Sequence, residues 1–336
     1  MTQLLGLTLL SLVITAILII PFIDFLYKIK LRRQDQSTKD PFNKPTPVFD
    51  KFNNWKVGTP FGGGLLIICV STVIFLWSFG MLNVKVNPVE IFVILFTFIS
   101  FGLLGLYDDG KKLANGAKLP IFGLRLRYKF LLQWVIAFVP ATILYTKLGY
   151  SFVFIRGIGL TDIGFLYIPF AAFVIVAFTN AFNISDGLDG LAPGLMLIAL
   201  VSFLAISYTN VDQSLGIFIA VLMGSIAAFL YFNIYKARIW LGDVGSMSLG
   251  ASLAIIGLLT GKTLAMAVIG GVFVLEIGSS LIQLLSKKYL HRRILPAAPI
   301  HLYFLKKGWA EPKIVMRAWL LGAFFAILGL YLALIK

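Results

Sequence analysis

Apolar residues in this chain come in long blocks separated by short polar segments. Ten blocks carry a single charged residue between them, Glu276, and most approach the roughly 20 residues that a membrane-spanning helix needs. They lack the alternation of apolar and polar positions that a barrel strand requires. The pattern therefore predicts an all-α integral membrane protein, one transmembrane domain over residues 1–336. The ten blocks are Thr2–Ile23, Val57–Val84, Ile91–Tyr107, Phe130–Thr146, Ile163–Ser185, Gly190–Val211, Gln213–Tyr235, Val244–Gly261, Thr263–Ser286 and Ala318–Ile335.

Composition strengthens this interpretation. Hydrophobic residues make up 59% of the chain and charged residues 13%, whereas soluble domains average roughly 45–50% apolar and about 25% charged residues. The single cysteine excludes a disulfide scaffold. The first block has no basic leader and an apolar core too long for a cleaved signal, so it predicts a retained helix. A short hairpin is predicted at Ser151–Asp162.

Basic residues are distributed unevenly between the two sides of this arrangement. The segments after the odd-numbered blocks hold 24 of the 29 lysines and arginines. The positive-inside rule places these segments in the cytoplasm and both termini outside it. Charges on short loops beside helix ends favour contact with membrane lipid or an anionic substrate, and they argue against nucleic-acid binding.

The scarce acidic residues also gather on the predicted cytoplasmic side. Five of the 14 lie at or beside block ends there, and both histidines share that side. A one-sided placement of scarce carboxylates predicts an active site in the cytoplasmic loops. The five are Asp108, Asp109, Asp186, Asp189 and Asp243.

The most specific motif follows the fifth block. Asn180, Asn183, Asp186 and Asp189 recur every third residue within a glycine-rich stretch that ends at Gly194. On a continuing helical turn they would share one face, which suits a sugar, a nucleoside or a hydrated metal. The alternative is a well-capped turn between two helices, but such a turn does not need four amide and acid groups in register.

Two further acidic positions have both a chemical and a purely structural interpretation. Asp108 and Asp109 end the third block, where the helix dipole disfavours them and a nearby cation would relieve them. They could equally be a polar helix stop. Asp243, in Trp-Leu-Gly-Asp-Val-Gly-Ser, is an oxygen ligand of the type Mg²⁺ prefers. It could also cap the eighth helix.

The second helix is predicted to start with Thr59 as its N-cap and Pro60 in its first turn. Lys56, just before this helix, is the residue of the segment with the stronger indication of a functional role. The glycines at 62–64 fit close helix packing as well as ligand binding. Glu276, inside the ninth block, predicts a structural partner within the bundle. For His301 alone, a structural and a functional role remain open.

Together these stretches resemble the polyprenyl-phosphate N-acetylhexosamine-1-phosphate transferase superfamily, and within it the phospho-N-acetylmuramoyl-pentapeptide transferase type. The resemblance covers essentially the whole chain and agrees with ten helices. It is carried by Lys56 with Gly-Thr-Pro-Phe-Gly-Gly, Asp108-Asp109 with Lys112, Asn180–Gly194, Asn233, Trp-Leu-Gly-Asp243-Val-Gly-Ser, Glu276 with Gln283, Ala-Pro-Ile-His301 and Lys307–Trp319.

The resemblance implies a bacterial cytoplasmic-membrane enzyme of peptidoglycan synthesis. A UDP-linked muramoyl-pentapeptide donor and undecaprenyl phosphate would give lipid I and UMP, with Mg²⁺ on Asp243. Asp108 or Asp109 would orient or deprotonate the lipid phosphate, or form a covalent intermediate. A homodimer is left open.

The resemblance also implies roles for further residues. Trp240 would stack on uracil, and His301 would donate to a diphosphate oxygen or steady the metal site. Asn180, Asn183, Asp186 and Asn233 complete the substrate-binding set. The uridine pocket would be lined by Lys56, Gly187, Leu188 and Asp189, and the phosphates neutralised by Lys112 and Lys129.

There are three departures from the family pattern, and the first two leave the exact sugar open. The usual three histidines are here His301, Leu302 and Tyr303, so we expect His301 alone to act and Leu302→His to change little. The glycine motif has Phe61 and Gly62 where Thr-Met is usual, and Trp240 replaces a phenylalanine. The alternatives are an N-acetylglucosamine-1-phosphate transferase and, more remotely, a transporter, which would place ionisable groups at mid-membrane.

Overall fold

The structure is a computed structural model that describes residues 1–32, 50, 56–82, 87–114, 126–155, 159–210 and 212–335. Helices dominate it, and one β-hairpin completes the regular structure of those ranges. The helices are α1 (Thr2–Lys28), α2 (Gly63–Leu82), α3 (Pro88–Ala114), α4 (Leu126–Thr146), α5 (Tyr167–Ser185), α6 (Leu191–Thr209), α7 (Gln213–Asn233), α8 (Gly242–Leu259), α9 (Thr263–Ile269), α10 (Gly271–Leu285), α11 (Ile300–Lys306) and α12 (Glu311–Leu334).

The predicted class, an all-α integral membrane protein, is confirmed. Within the described ranges, nine helices are long and apolar enough to cross a membrane, or ten if a bent pair counts as one span. The predicted hairpin is also confirmed, because Phe152–Ile155 pairs antiparallel with Gly159–Asp162. The orientation of the helices relative to the cytoplasm remains a prediction.

The ninth apolar block differs from the prediction of one continuous helix. It breaks into α9 and α10, which are inclined by 81°. Gly270 and Gly271 form the break, and a β-carbon at Gly270 would come within 2.7 Å of the Phe178 ring. At Gly271 a β-carbon would come within 2.8 Å of the Phe325 ring. Glycine therefore lets two aromatic rings press against the chain where it turns.

Helix α8 forms the centre of the bundle and packs most extensively on α3 and α5. Small residues make this possible. A β-carbon at Gly105 would collide with the backbone at Asp243, and one at Gly64 would collide with Gly245. The glycines at 63–64 therefore serve close packing, because they allow the start of α2 to lie directly against the start of α8.

Hydroxyl groups link α1, α2 and α7 inside the apolar region. Ser225 Oγ lies 2.7 Å from Ser11 Oγ and accepts hydrogen bonds from Thr15 at 3.2 Å and Ser71 at 3.0 Å. Ser11 is itself 2.7 Å from the carbonyl oxygen of Val221. Because hydrocarbon offers no partners for hydroxyls, such bonds hold helices together.

The predicted start of the second helix was wrong, and the structure also excludes the helix-stop interpretation of Asp108 and Asp109 and the capping interpretation of Asp243. Helix α2 begins at Gly63, not at Thr59, because Pro60 and Phe61 are held in extended bridges to Arg32 and Trp240. Helix α3 continues to Ala114, so the aspartates at 108 and 109 are not a helix stop.

Asp243 does not cap α8 either. The N-cap is Leu241, and Asp243 lies in the first turn, where its charge still suits the helix dipole. Its carboxylate is directed at other side chains.

Candidate active site

One end of the bundle collects charged side chains from five helices and the loops between them. At its centre, the Lys129 ammonium of α4 bridges two carboxylates. Its Nζ lies 3.0 Å from Asp108 Oδ2 on α3 and 2.8 Å from Asp243 Oδ2 on α8. The Lys129 side chain is 14% exposed and that of Asp243 is 15% exposed. This group is called the Lys129 cluster below.

Helix α5 completes the surroundings of Asp243. The Asn183 amide lies 2.9 Å from Asp243 Oδ1 and 2.6 Å from Ser246 Oγ, one turn along α8. The two carboxylate oxygens of Asp243 are therefore oriented by different helices. Asn183 and Asp243 are 60 residues apart in the chain. The sequence therefore predicts only that both lie on the same side of the membrane, and not that they are in contact.

Asp109 faces a different partner from its neighbour Asp108, although both are 3% exposed. Its Oδ2 accepts the backbone N–H of Val244 at 3.1 Å, at the start of α8. A β-carbon at Gly242 would come within 2.7 Å of the same oxygen. Asp109 thus ties α3 to the turn that presents Asp243.

A second charged group surrounds Lys56, which is 2% exposed. Its Nζ lies 3.0 Å from Asp189 Oδ1, 2.8 Å from Glu311 Oε1 and 3.3 Å from the carbonyl oxygen of Gly187. The same Glu311 oxygen accepts the backbone N–H of Asp189 at 2.7 Å. This group is called the Lys56 cluster below.

The loop after α7 is fastened to the Lys56 cluster by side chains that bond to backbone. Asp189 Oδ2 accepts the N–H of Ala237 at 2.9 Å. Asn233 accepts from the N–H of Gly190 at 3.0 Å and donates to the carbonyl of Ile239 at 2.8 Å. The Asn233 amide therefore joins two loops at the wall of the site.

Trp240 lies between the loop after α7 and the start of α2. The backbone N–H of Trp240 donates to the carbonyl of Pro60 at 3.0 Å, and the backbone carbonyl of Trp240 accepts from the N–H of Gly63 at 2.8 Å. The Lys56 Nζ lies 5.6 Å from the centre of its ring. The indole is thus fixed by backbone pairing beside the Lys56 cluster.

Asp186 lies between the two clusters in the turn that follows α5. Burial raises the pKa of this carboxyl well above its ordinary value, and the negative charge of Asp243 adds to the effect. The Lys56 ammonium acts in the opposite direction. A carboxyl that resists ionisation keeps the number of negative charges near Asp243 lower.

His301 forms a buried pair with Glu276. Its Nδ1 lies 3.0 Å from Glu276 Oε2, and His301 is 2% exposed. The opposite ring nitrogen, Nε2, would be 2.7 Å from a β-carbon at Gly187. Glu276 therefore has the predicted partner inside the bundle, and glycine at 187 makes room for the imidazole.

The remaining predicted residues take different positions. Asn180 does not join Asn183, because it bonds Gln133 of α4 at 2.7 Å. Helix α5 ends at Ser185, so the four polar residues of this motif do not share one helical face. Leu188 is buried. Lys112 lies in the last turn of α3, and its side chain falls outside the described part of the chain.

Sequence reasoning missed Glu311 and Gln133 as parts of this end of the bundle. Glu311 is one of only 14 acidic residues and lies on the predicted cytoplasmic side, which was a usable signal. Gln133 stands inside an apolar helix and is 1% exposed. A buried amide in such a helix needs a partner, but the sequence does not say which one.

Comparison with known proteins shows the family of the chain. The profile of the family described as glycosyl transferase family 4 matches residues 91–261. The phospho-N-acetylmuramoyl-pentapeptide-transferase of Rickettsia montanensis is 37% identical over 326 residues, which cover 90% of this chain and 86% of that protein. The protein of the same name from Borrelia hermsii is 36% identical and covers 82% of each chain.

The family match, the relatives and the bundle of membrane helices together identify the class, a membrane-embedded transferase of phosphosugars. The chain belongs to glycosyl transferase family 4.

Proposed function

We propose that this protein transfers phospho-N-acetylmuramoyl-pentapeptide from its UDP-linked donor to undecaprenyl phosphate, giving lipid I and UMP. The observation that carries the proposal is the Lys129 ammonium held between Asp108 and Asp243 at the end of an apolar bundle. Such a site handles phosphate charge where a soluble and a lipid substrate meet. The similarity to the Rickettsia montanensis transferase supports the choice of substrates.

A divalent cation suits the Lys129 cluster. No three acidic, histidine or cysteine side chains of the described ranges converge on one metal position. Mg²⁺ does not need such a set, because it is commonly held by one or two carboxylates together with substrate phosphates. Asp243 is the residue that would hold it, with Asp108 as a second oxygen source. When bound, Mg²⁺ would neutralise charge on the donor diphosphate.

Asp108 is our candidate for contact with the attacking lipid phosphate. Its carboxylate pairs with an ammonium that is itself partly exposed, whereas Asp109 bonds the backbone of α8. The lipid phosphate is largely ionised near neutral pH, so Asp108 acts chiefly by orienting it. Phosphoryl transfer depends mainly on such positioning and on charge neutralisation. In this mechanism Asp109 holds the Asp243 turn in place.

Lys129 neutralises phosphate oxygens once a substrate competes for its ammonium. The Lys56 cluster builds the neighbouring uridine pocket with Gly187, Leu188 and Asp189, and Trp240 stacks on the base. Asn183, Asp186 and Asn233 position this wall, and His301 donates to a diphosphate oxygen through Nε2. Catalysis would take place on the cytoplasmic side of a bacterial inner membrane.

Release of UMP from defined donors tests the proposal. Purified protein in lipid, with undecaprenyl phosphate and Mg²⁺, is expected to release UMP from the UDP-linked muramoyl-pentapeptide. Release only from UDP-N-acetylglucosamine would assign the sister transferase. Release from neither donor would overturn the proposed reaction.

A further inference from the structure

The C-terminal helix α12 reaches into the candidate site from outside the family-profile match, which ends at residue 261. Glu311, in its first turn, is buried. One oxygen of Glu311 lies 2.8 Å from the Lys56 ammonium and 2.7 Å from the backbone nitrogen of Asp189. A single carboxylate oxygen therefore binds both a side chain and the turn at 187–190.

A second contact from α12 reaches the same turn. The Trp319 indole N–H donates to the carbonyl oxygen of Gly190 at 3.2 Å. A β-carbon at Gly194 would collide with the Trp319 ring. Residues 311 and 319 are eight positions apart, so both project from the same side of α12. The turn is thus held at Asp189 and at Gly190 by one helix.

The charges around Lys56 show what Glu311 contributes. An ammonium has three donors, and Lys56 directs them toward Asp189, Glu311 and the carbonyl of Gly187. An additional phosphate acceptor would have to break one of these bonds. Lys56 therefore acts by holding the turn rather than by neutralising phosphate.

We propose that Glu311 is a positioning residue for the uridine-nucleotide pocket. It holds in place Lys56 and the turn at 187–190, which line that pocket. The inference rests on the proposed function for the identity of the nucleotide. It assigns Glu311 to donor binding and not to the transfer step. The variant should therefore lose donor affinity and keep its maximal rate.

Binding of UMP to the full-length protein, measured by calorimetry, tests this without any turnover. Glu311→Ala is expected to weaken UMP binding at least about tenfold, the cost of losing charge-assisted hydrogen bonds. KM for the UDP-linked donor should rise by a similar factor, with kcat and the Mg²⁺ dependence nearly unchanged. Glu311→Gln, which keeps an acceptor oxygen, should show a smaller loss.

Two further variants make the test specific. Trp319→Phe removes the indole N–H bond together with the part of the ring that packs on Gly194, and it should weaken UMP binding in the same direction, by less than Glu311→Ala. If Glu311→Ala fails to fold, the Trp319→Phe variant still tests whether contacts from α12 support UMP binding. Glu90→Gln is the matched control, because Glu90 lies at the start of α3, about 27 Å along the helix from Asp108, and should leave UMP affinity unchanged.

Several outcomes overturn the inference. It fails if the folded Glu311 variants bind UMP like wild type, if kcat falls while KM stays constant, or if the wild-type protein does not bind UMP. Wild-type protein that binds UMP in a Glu311-dependent manner, yet releases none from the muramoyl-pentapeptide donor, would leave the inference standing and overturn the proposed reaction alone.

Discussion

The two lysines of the site, Lys56 and Lys129, form similar bonds in different surroundings. Each ammonium bridges two carboxylates at 2.8–3.0 Å. Lys56 is 2% exposed and also reaches a backbone carbonyl. Lys129 and its partner Asp243 are several times more exposed. The same ion-pair geometry thus occurs once in the protein interior and once where the lysine and one of its two carboxylates keep partial contact with solvent, while Asp108 is buried.

Solvent exposure determines which of these charges can exchange partners during a reaction. Charges that are fully desolvated and satisfied by protein groups are costly to separate, so they fix structure. Charges that retain contact with solvent can exchange one partner for another at smaller cost. We therefore expect the Lys129 cluster to govern turnover, and the Lys56 cluster to govern donor affinity and stability.

The largest expected effect is at Asp243. Asp243→Asn should lower kcat at least about a hundredfold, on the scale of losing a main electrostatic group of a transition state. Its folded state should persist, because asparagine keeps an oxygen for Asn183. Ser248→Ala, in the same helix but bonded to Phe98, is the matched control. UMP release measures kcat, and thermal unfolding measures the stability of the folded state. A variant that keeps more than a tenth of wild-type activity would contradict the prediction.

Next in size is the contrast between the lysines themselves. Lys56→Met should lower the free energy of unfolding by about 3–5 kcal/mol, because it leaves two buried carboxylates without their cation. Lys129→Met should cost less stability, because it strands one buried carboxylate, Asp108, rather than two, while lowering kcat. Chemical unfolding and steady-state kinetics on both variants check this. Equal losses of stability would remove the distinction drawn between the clusters.

His301→Ala should lower turnover by at least about tenfold, a typical loss for a positioning or acid–base group. The expectation that Leu302→His changes little needs revision, because Leu302 is only 6% exposed and burial of an imidazole there would cost stability. Tyr303→His, at a partly exposed position, is the better control and should retain activity. Loss of activity in Tyr303→His comparable to that of His301→Ala would argue against a specific role for His301.

Sequence was sufficient for the class of fold and for several of the chain segments that meet in the candidate site. Long apolar blocks fix the number of membrane helices, since backbone groups in hydrocarbon must bond within the segment. The same reasoning found Asp243 and the motif near Asp186, because charged residues beside such blocks are rare. It did not fix helix ends, as Thr59 and Pro60 show, because those depend on a bridge to Trp240.

Long-range pairing lay beyond the sequence. Lys56 and Glu311 are separated by 255 residues, and no local pattern states that their helices meet. Asn180 illustrates the converse error, since regular spacing grouped it with Asn183 although it faces Gln133 of another helix. Spacing predicts a shared face only while a helix continues, and α5 ends at Ser185.

The smallest expected effect concerns Asp186, between the two clusters. Its raised pKa means that the folded state binds a proton more tightly than the unfolded state, so stability is lost as pH rises above the ordinary carboxyl range. Asp186→Asn mimics the neutral carboxyl and should remove this loss. With EDTA present, the variant is expected to unfold at a higher temperature than wild type near pH 8. The difference should shrink toward about pH 5. A variant whose unfolding temperature follows that of wild type at every pH would show that Asp186 is ionised in the folded protein and that its charge is compensated within the site.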